Sequence, residues 1–211
     1  ICSLTRSAAK VIAGRNTAVP KQNIGTLHAL CFRALSSPEI AEGFIEEWNQ
    51  REPTLQLSDE RDSLTDHPFS DRAATSRGDD LMARAQVYRH RMIPLDQWAK
   101  QVAHFQERWQ AWLDETDRMD FTGLIEWCLA KTEYAPNKPA VFIVDEAQDC
   151  SVLELSLVRK WADRANYVVL AGDGDQAIYE WRGASPKAFT GGDIPAENNY
   201  HLTKSHRVPE Q

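Results

Sequence analysis

No apolar run in the 211-residue chain approaches the ~20 residues a helix needs to cross a membrane, so no helical span is expected. The four cysteines stand far apart, at Cys2, Cys31, Cys128 and Cys150, with no Cys-x-x-Cys pair. That spacing suggests neither a disulfide framework nor a zinc site, and a reducing cytosol fits best. Positive charge is in deficit, with 24 Lys+Arg against 31 Asp+Glu and a net charge of −7. The balance therefore offers no bulk electrostatic argument for binding nucleic acid, and any polyanion site must be local. Internal repeats and low-complexity tracts are missing too. The opening "ICSLTRSAAK" has neither an initiator Met nor the layout of a signal peptide, so the chain is expected to continue something longer. What is present is a globular composition, 42% hydrophobic, enough for one large domain or two small ones.

The pattern along the chain changes twice. "ICSLTRSAAKVIAGR" and "NIGTLHALCFRAL" each read as a short strand end followed by a helix, with Thr5 as an N-cap in the first. Two such units suggest an α/β layer structure. From about Pro38 to Tyr134 the pattern becomes helical, beginning with Ile40, Phe44, Ile45 and Trp48 on one face. Residues 51–80 have few apolar positions and read as a loop. Leu95, Trp98, Val102, Phe105, Trp109 and Trp112 recur at spacings of three and four, which predicts one buried stripe of a long amphipathic helix. Base stacking would instead require exposed aromatics among basic residues, so core is the better reading. Asp120 is placed to cap "FTGLIEWCLAKT". After Pro139 the α/β pattern returns with strand "AVFIV", helix "SVLELSLVRKWADRA" and strand "NYVVLAGD". A short helix at Ser185-Pro186 and a strand at "YHL" are expected after them. The division predicted is an α/β domain over 1–37 and 135–211, interrupted by a helical insertion over 38–134.

"VFIVDEAQDC" runs four apolar residues into Asp145, Glu146, Gln148 and Asp149. Such a strand, without polar alternation, belongs at the centre of a parallel sheet covered on both faces. Ligands of these sheets bind beyond the carboxyl ends of the strands, where the acids fall. Acids that merely favour the next helix N-terminus would account for one or two of them, but less well for an adjacent pair at the strand end itself. The stronger reading has an Asp on a magnesium ion and a Glu orienting the attacking water in nucleotide hydrolysis. A second strand end, "YVVLAGDGDQAIYEWRGA", carries Asp173, Asp175, Gln176, Tyr179, Trp181 and Arg182. A neutral amide such as Gln176 can bond a terminal phosphate, Tyr179 and Trp181 can stack on bases, and Arg182 can reach a phosphate or base.

Together the strings "VFIVDEAQD" and "GDGDQAIYEWRGA" resemble motifs II and III of the UvrD/Rep-type superfamily 1 DNA helicases. In the same order, "SLTRSAA" resembles motif Ia, "GTLHALCFRAL" the next DNA-contacting motif, "MDFTGLI" the segment before motif II, and "LTKSHRVP" motif IV. The resemblance implies a RecA-like motor domain with a helical insertion, using ATP and Mg2+. It places Asp145 on magnesium, Glu146 as catalytic base, Gln148 beside the nucleotide, Gln176 at the γ-phosphate, and Arg207 completing the phosphate site. Thr5, Thr26, His28, Tyr179, Trp181 and Arg182 would face single-stranded DNA, and translocation would run 3′ to 5′ with unwinding of duplex DNA. A cytoplasmic, nucleoid-associated location is implied as well. The chain departs from the family at Leu4, where Phe is frequent, and at Glu180, where Gly is common. It also contains no Gly-Lys dipeptide, so the phosphate-binding loop and its lysine are missing from it. The expectation is that this loop lies upstream of Ile1, that a second motor domain lies downstream, and that self-association follows from the missing strand. Two alternatives stand beside this reading: a non-catalytic DNA- or partner-binding remnant of such a motor, and a magnesium nuclease using the carboxylates of 145–149.

Overall fold

The computed structural model describes residues 1–3, 5–15, 18–58, 76–177, 184 and 194–202. The first two strands are short, and each runs directly into a helix: β1 (Cys2–Ser3) into α1 (Arg6–Gly14), β2 (Gly25–Thr26) into α2 (Leu27–Ala34). A threonine sets both junctions. The Ala8 N–H donates to Thr5 Oγ1 and the Ala29 N–H to Thr26 Oγ1, each at 3.1 Å, satisfying a donor that the first helical turn leaves open. The helices α3 (Ile45–Arg51), α4 (Arg77–His90), α5 (Lys100–Thr116) and α6 (Phe121–Lys131) follow. The chain then returns through β3 (Val141–Asp145), α7 (Val152–Ala162) and β4 (Tyr167–Leu170).

The four strands among the described residues are all parallel, in the order β2-β1-β3-β4. Ser3 pairs with both Thr26 and Asp145, and Val144 with Leu170, so the carboxyl ends of the strands lie along one edge of the sheet. This is the α/β class expected from the strand-to-helix units, and it is consistent with the RecA-like sheet that the resemblance implies. Coverage is less complete than the unbroken apolar strands predict. Phe142 and Val144 are buried, whereas Val141, Tyr167 and Val169, which share the other face, are 50%, 71% and 48% exposed.

Among the described residues two apolar clusters hold the elements together. One joins the sheet to α2, α6 and α7 through Leu30, Ile125, Phe142, Val144, Leu157 and Trp161. The other joins α3, α4 and α5 through Trp48, Leu81, Val102, Phe105, Trp109 and Trp112. Within it the Trp48 and Trp109 rings meet edge to face at 5.0 Å, and both indole N–H groups are used: Trp48 donates to Leu55 O and Trp109 to Asp120 Oδ2, each at 2.8 Å.

Four members of the predicted aromatic stripe, Val102, Phe105, Trp109 and Trp112, are thus core. Leu95 is half exposed and Trp98 only partly buried, because α5 begins at Lys100, after a 3-10 turn following Pro94. The segment read as a loop from 51 to 80 holds more order than its composition suggests. Leu55 and Leu57 are buried, Asn49 brackets the Leu57 backbone with two 2.7 Å bonds, and α4 starts at Arg77 behind a Ser76–Asp79 capping box. The strand expected at "YHL" does not form: Tyr200 and Leu202 are 86% and 97% exposed and have no ladder partner among the described residues. The short helix expected at Ser185-Pro186 lies outside them.

Candidate functional site

β3 delivers Asp145 at its last position, level with Ser3 on β1. The next residue, Glu146, has φ 57°, a left-handed conformation that costs a non-glycine residue about 1 kcal/mol or more. Three contacts hold the turn. The Ala147 N–H donates to Ala171 O at 2.9 Å, the Asp149 N–H returns to Glu146 O at 3.1 Å, and the Gln148 amide donates to Glu146 Oε2 at 2.9 Å. The strain therefore aims the Glu146 carboxylate while the backbone around it is fixed.

Gln148 is 1% exposed and does more than hold Glu146. Its Oε1 accepts the Asp173 N–H at 3.1 Å, so one buried amide ties the loop after β3 to the loop after β4. In that second loop Asp173 caps a 3-10 turn over Gly174–Gln176, and its Oδ2 accepts from the Gln176 amide at 2.6 Å. Gln176 is exposed, with its amide turned to Asp173. The structure thus brings Asp145, Glu146, Gln148 and Gln176 to one edge of the sheet, Asp145 at the strand end and Glu146 with Gln148 in the hydrogen-bonded turn that follows.

Thr5 follows β1, Thr26 ends β2 and His28 lies in the first turn of α2, all at the same edge. Both threonine hydroxyls act as helix caps, and the His28 ring packs edge-on against Phe121 at 5.9 Å between centroids. Arg207, Tyr179, Trp181 and Arg182 lie outside the described residues, as do Leu4 and Glu180. Two features have no counterpart in the motif reading. The Ser3 hydroxyl is buried beside Asp145 without a hydrogen-bond partner among the described residues. Asp173 meets the loop after β3 through its backbone N–H and holds its own loop through its carboxylate. Both lie within the quoted motif strings, yet those strings assign them no role, since their roles arise from the register of β1 against β3 and the meeting of two loops.

Among the described residues no group of three or more His, Cys, Asp or Glu side chains gathers into a metal cage. One or two carboxylates at a strand end fit magnesium all the same, because that ion usually keeps waters and binds substrate phosphates rather than an all-protein cage. Among the described residues no helix is long and apolar enough to cross a membrane.

Residues 1–193 match the UvrD/REP helicase N-terminal domain. The ATP-dependent DNA helicase PcrA of Staphylococcus aureus (strain Mu50) is 26% identical over 202 residues, covering 87% of this chain and 27% of the relative. The ATP-dependent DNA helicase PcrA of Staphylococcus epidermidis (strain ATCC 35984) is 27% identical over 207 residues, covering 86% of this chain and 28% of the relative. The chain thus spans about a quarter of the length of these relatives.

Proposed function

Since the chain belongs to the UvrD/REP helicase N-terminal domain family, we propose that it forms most of the first motor domain of an ATP-dependent DNA helicase. Residues 1–37 and 135–211 make the RecA-like part and 38–134 the helical insertion. The observation that carries this reading is the pair of loops at the carboxyl edge of the sheet, joined by Gln148 through Glu146 and the Asp173 N–H. A hydrolytic motor needs a metal-binding carboxylate, a base for water and a sensor of the terminal phosphate to move as one unit, and one buried amide couples those loops.

Asp145 would hold Mg2+, which when bound neutralises charge on the phosphate oxygens. Glu146, fixed by its backbone and by Gln148, orients the attacking water and takes its proton. Gln176 is released from Asp173 to bond the terminal phosphate, and Arg207 completes the phosphate site. Thr5, Thr26, His28, Tyr179, Trp181 and Arg182 face single-stranded DNA, along which translocation runs 3′ to 5′, unwinding duplex. The phosphate-binding loop and the second motor domain come from the rest of the protein, which works in the cytoplasm at the nucleoid. Catalysis of phosphoryl transfer is mostly positioning and charge stabilisation, so the 211-residue chain by itself hydrolyses no ATP. The test is Glu146→Gln in the full-length protein: turnover with single-stranded DNA falls by about 100-fold or more while ATP affinity stays within a factor of a few. Near-normal turnover removes Glu146 from the role of base.

A further inference from the structure

Basic residues in the last turn of a helix ordinarily stay in water beside its negative end. Those of α4 do the opposite: Arg89 and His90 are 7% and 4% exposed. Each reaches the capping residue of another helix. The Arg89 guanidinium forms a bidentate pair with Asp120, the cap of α6, one arm at 3.0 Å. His90 Nδ1 lies 2.9 Å from Ser151 Oγ, the cap of α7.

Ser151 is where the acid-bearing turn ends. Its Oγ accepts the Glu154 N–H at 3.2 Å, its own N–H donates to Glu154 Oε2 at 2.8 Å, and it bridges antiparallel to Ala184. The turn of Glu146–Cys150 is therefore anchored at the start by the Ala147–Ala171 bond and at the end by Ser151. We propose that His90 is a positioning residue, which fixes the acid-bearing turn from the helical layer by gripping the hydroxyl that caps α7. This rests on the reading of Glu146 as the hydrolytic base.

The hydrogen bonds around His90 run in one direction. The Gln86 side-chain oxygen can only accept, so the Thr122 hydroxyl donates to it. Thr122 Oγ1, 3.2 Å from His90 Nε2, must then accept from an Nε2–H, which leaves Nδ1 as acceptor for the Ser151 hydroxyl. The relay links Ser151, His90, Thr122 and Gln86, joining α7, α4 and α6. It also makes the two amide replacements unequal. Asparagine at position 90 places its oxygen near the site of Nδ1 and keeps the Ser151 contact, whereas glutamine reaches toward Nε2 and loses it.

The experiment is amide hydrogen exchange on the 211-residue chain carrying His90→Asn or His90→Gln. With glutamine, amides from Ala147 to Glu154 exchange about tenfold faster, the worth of one lost hydrogen bond, while those of α5 are unchanged. With asparagine the rates stay near wild type. Equal effects of the two replacements, or acceleration spread over the whole chain, overturn the proposal. Should His90→Gln fail to fold, the imidazole nitrogen NMR shifts of the wild-type chain decide instead. The Nε2–H tautomer is expected, and an Nδ1–H tautomer at neutral pH overturns it. In the full-length protein, His90→Gln lowers kcat for ATP and leaves KM in place, and His90→Asn restores kcat. If exchange follows the expected pattern but Glu146→Gln still hydrolyses ATP, the hydrolytic reading fails and the grip on Ser151 stands.

Discussion

At the scale of single residues, the polar groups that matter are those that burial leaves no alternative. Gln148 is the clearest. Its replacement by leucine keeps the volume but removes the donor to Glu146 Oε2 and the acceptor of the Asp173 N–H. Gln148→Leu should cost about 1–3 kcal/mol, read as a lower denaturant midpoint, because it abandons two partly buried bonds, one in each loop. An unchanged midpoint would mean that the two loops are held apart from Gln148. Glu42 makes the complementary case. Burial of its carboxyl, then the nearby Asp120 charge, push its pKa up to about 8 from 4.5, against the pull of the Phe121 N–H and of Arg89. The folded state keeps this proton to about pH 8, while the unfolded chain releases it near 4.5. Between those values the folded form binds more protons, so the stability it confers is full below 4.5 and is lost as pH rises toward 8. Glu42→Gln retains an acceptor for the Phe121 N–H and removes the titration. The melting temperature of the variant should fall less than that of wild type between pH 5 and 8, and parallel curves would refute the assignment.

At the scale of elements, the least forgiving position is the start of α4. Gly78 sits in its first turn against the backbone of 55–56, and a Cβ there would lie 2.2 Å from Gln56 O and 2.6 Å from Leu55 O. Backbone cannot swing aside as a side chain can. Gly78→Ala should therefore displace the 55–57 segment or the helix start, costing about 1–3 kcal/mol in a urea titration despite alanine's higher helix propensity. A stabilised variant would show that this contact gives way freely. The sequence makes some of these elements readable and hides others for a physical reason. Thr5 and Asp120 were legible as caps because a cap bonds a backbone three residues away, whereas the same role of Thr26 was passed over. The turn after β3 was legible because an apolar strand ending in two acids is a local pattern. Leu55 and Leu57 were hidden because their burial depends on Asn49 and Gly78, not on any period. The packing of α6 on the sheet cluster was hidden too: a helical stripe reveals that one face is apolar, not which layer it meets. Gln148 with Asp173, and His90 with Ser151, join residues 25 and 61 positions apart, beyond the reach of spacing arguments.

At the scale of the whole molecule, the open flank of the sheet decides how the chain behaves alone. β4 pairs with β3 and with no other strand among the described residues. The Tyr167 and Ala171 N–H groups donate toward β3, to Ala140 O and Val144 O, so the backbone of the alternate residues Val168 and Leu170 faces the open side. Beside this edge, Val141, Tyr167 and Val169 leave apolar side chains half exposed or more. An apolar strand with a free edge, unprotected by charge or proline, is a template for another chain. The net charge of −7 opposes that meeting at low salt and is screened within about 10 Å at 0.1 M, so association should strengthen as salt is added. Light scattering of the purified chain should show a molar mass that rises with protein concentration and with salt. Val169→Lys puts a charge on the exposed face without touching the buried one, and should return the chain to a monomer with its far-UV dichroism intact. A wild-type chain that stays monomeric at every concentration would show that the flank of β4 is covered from within the same molecule.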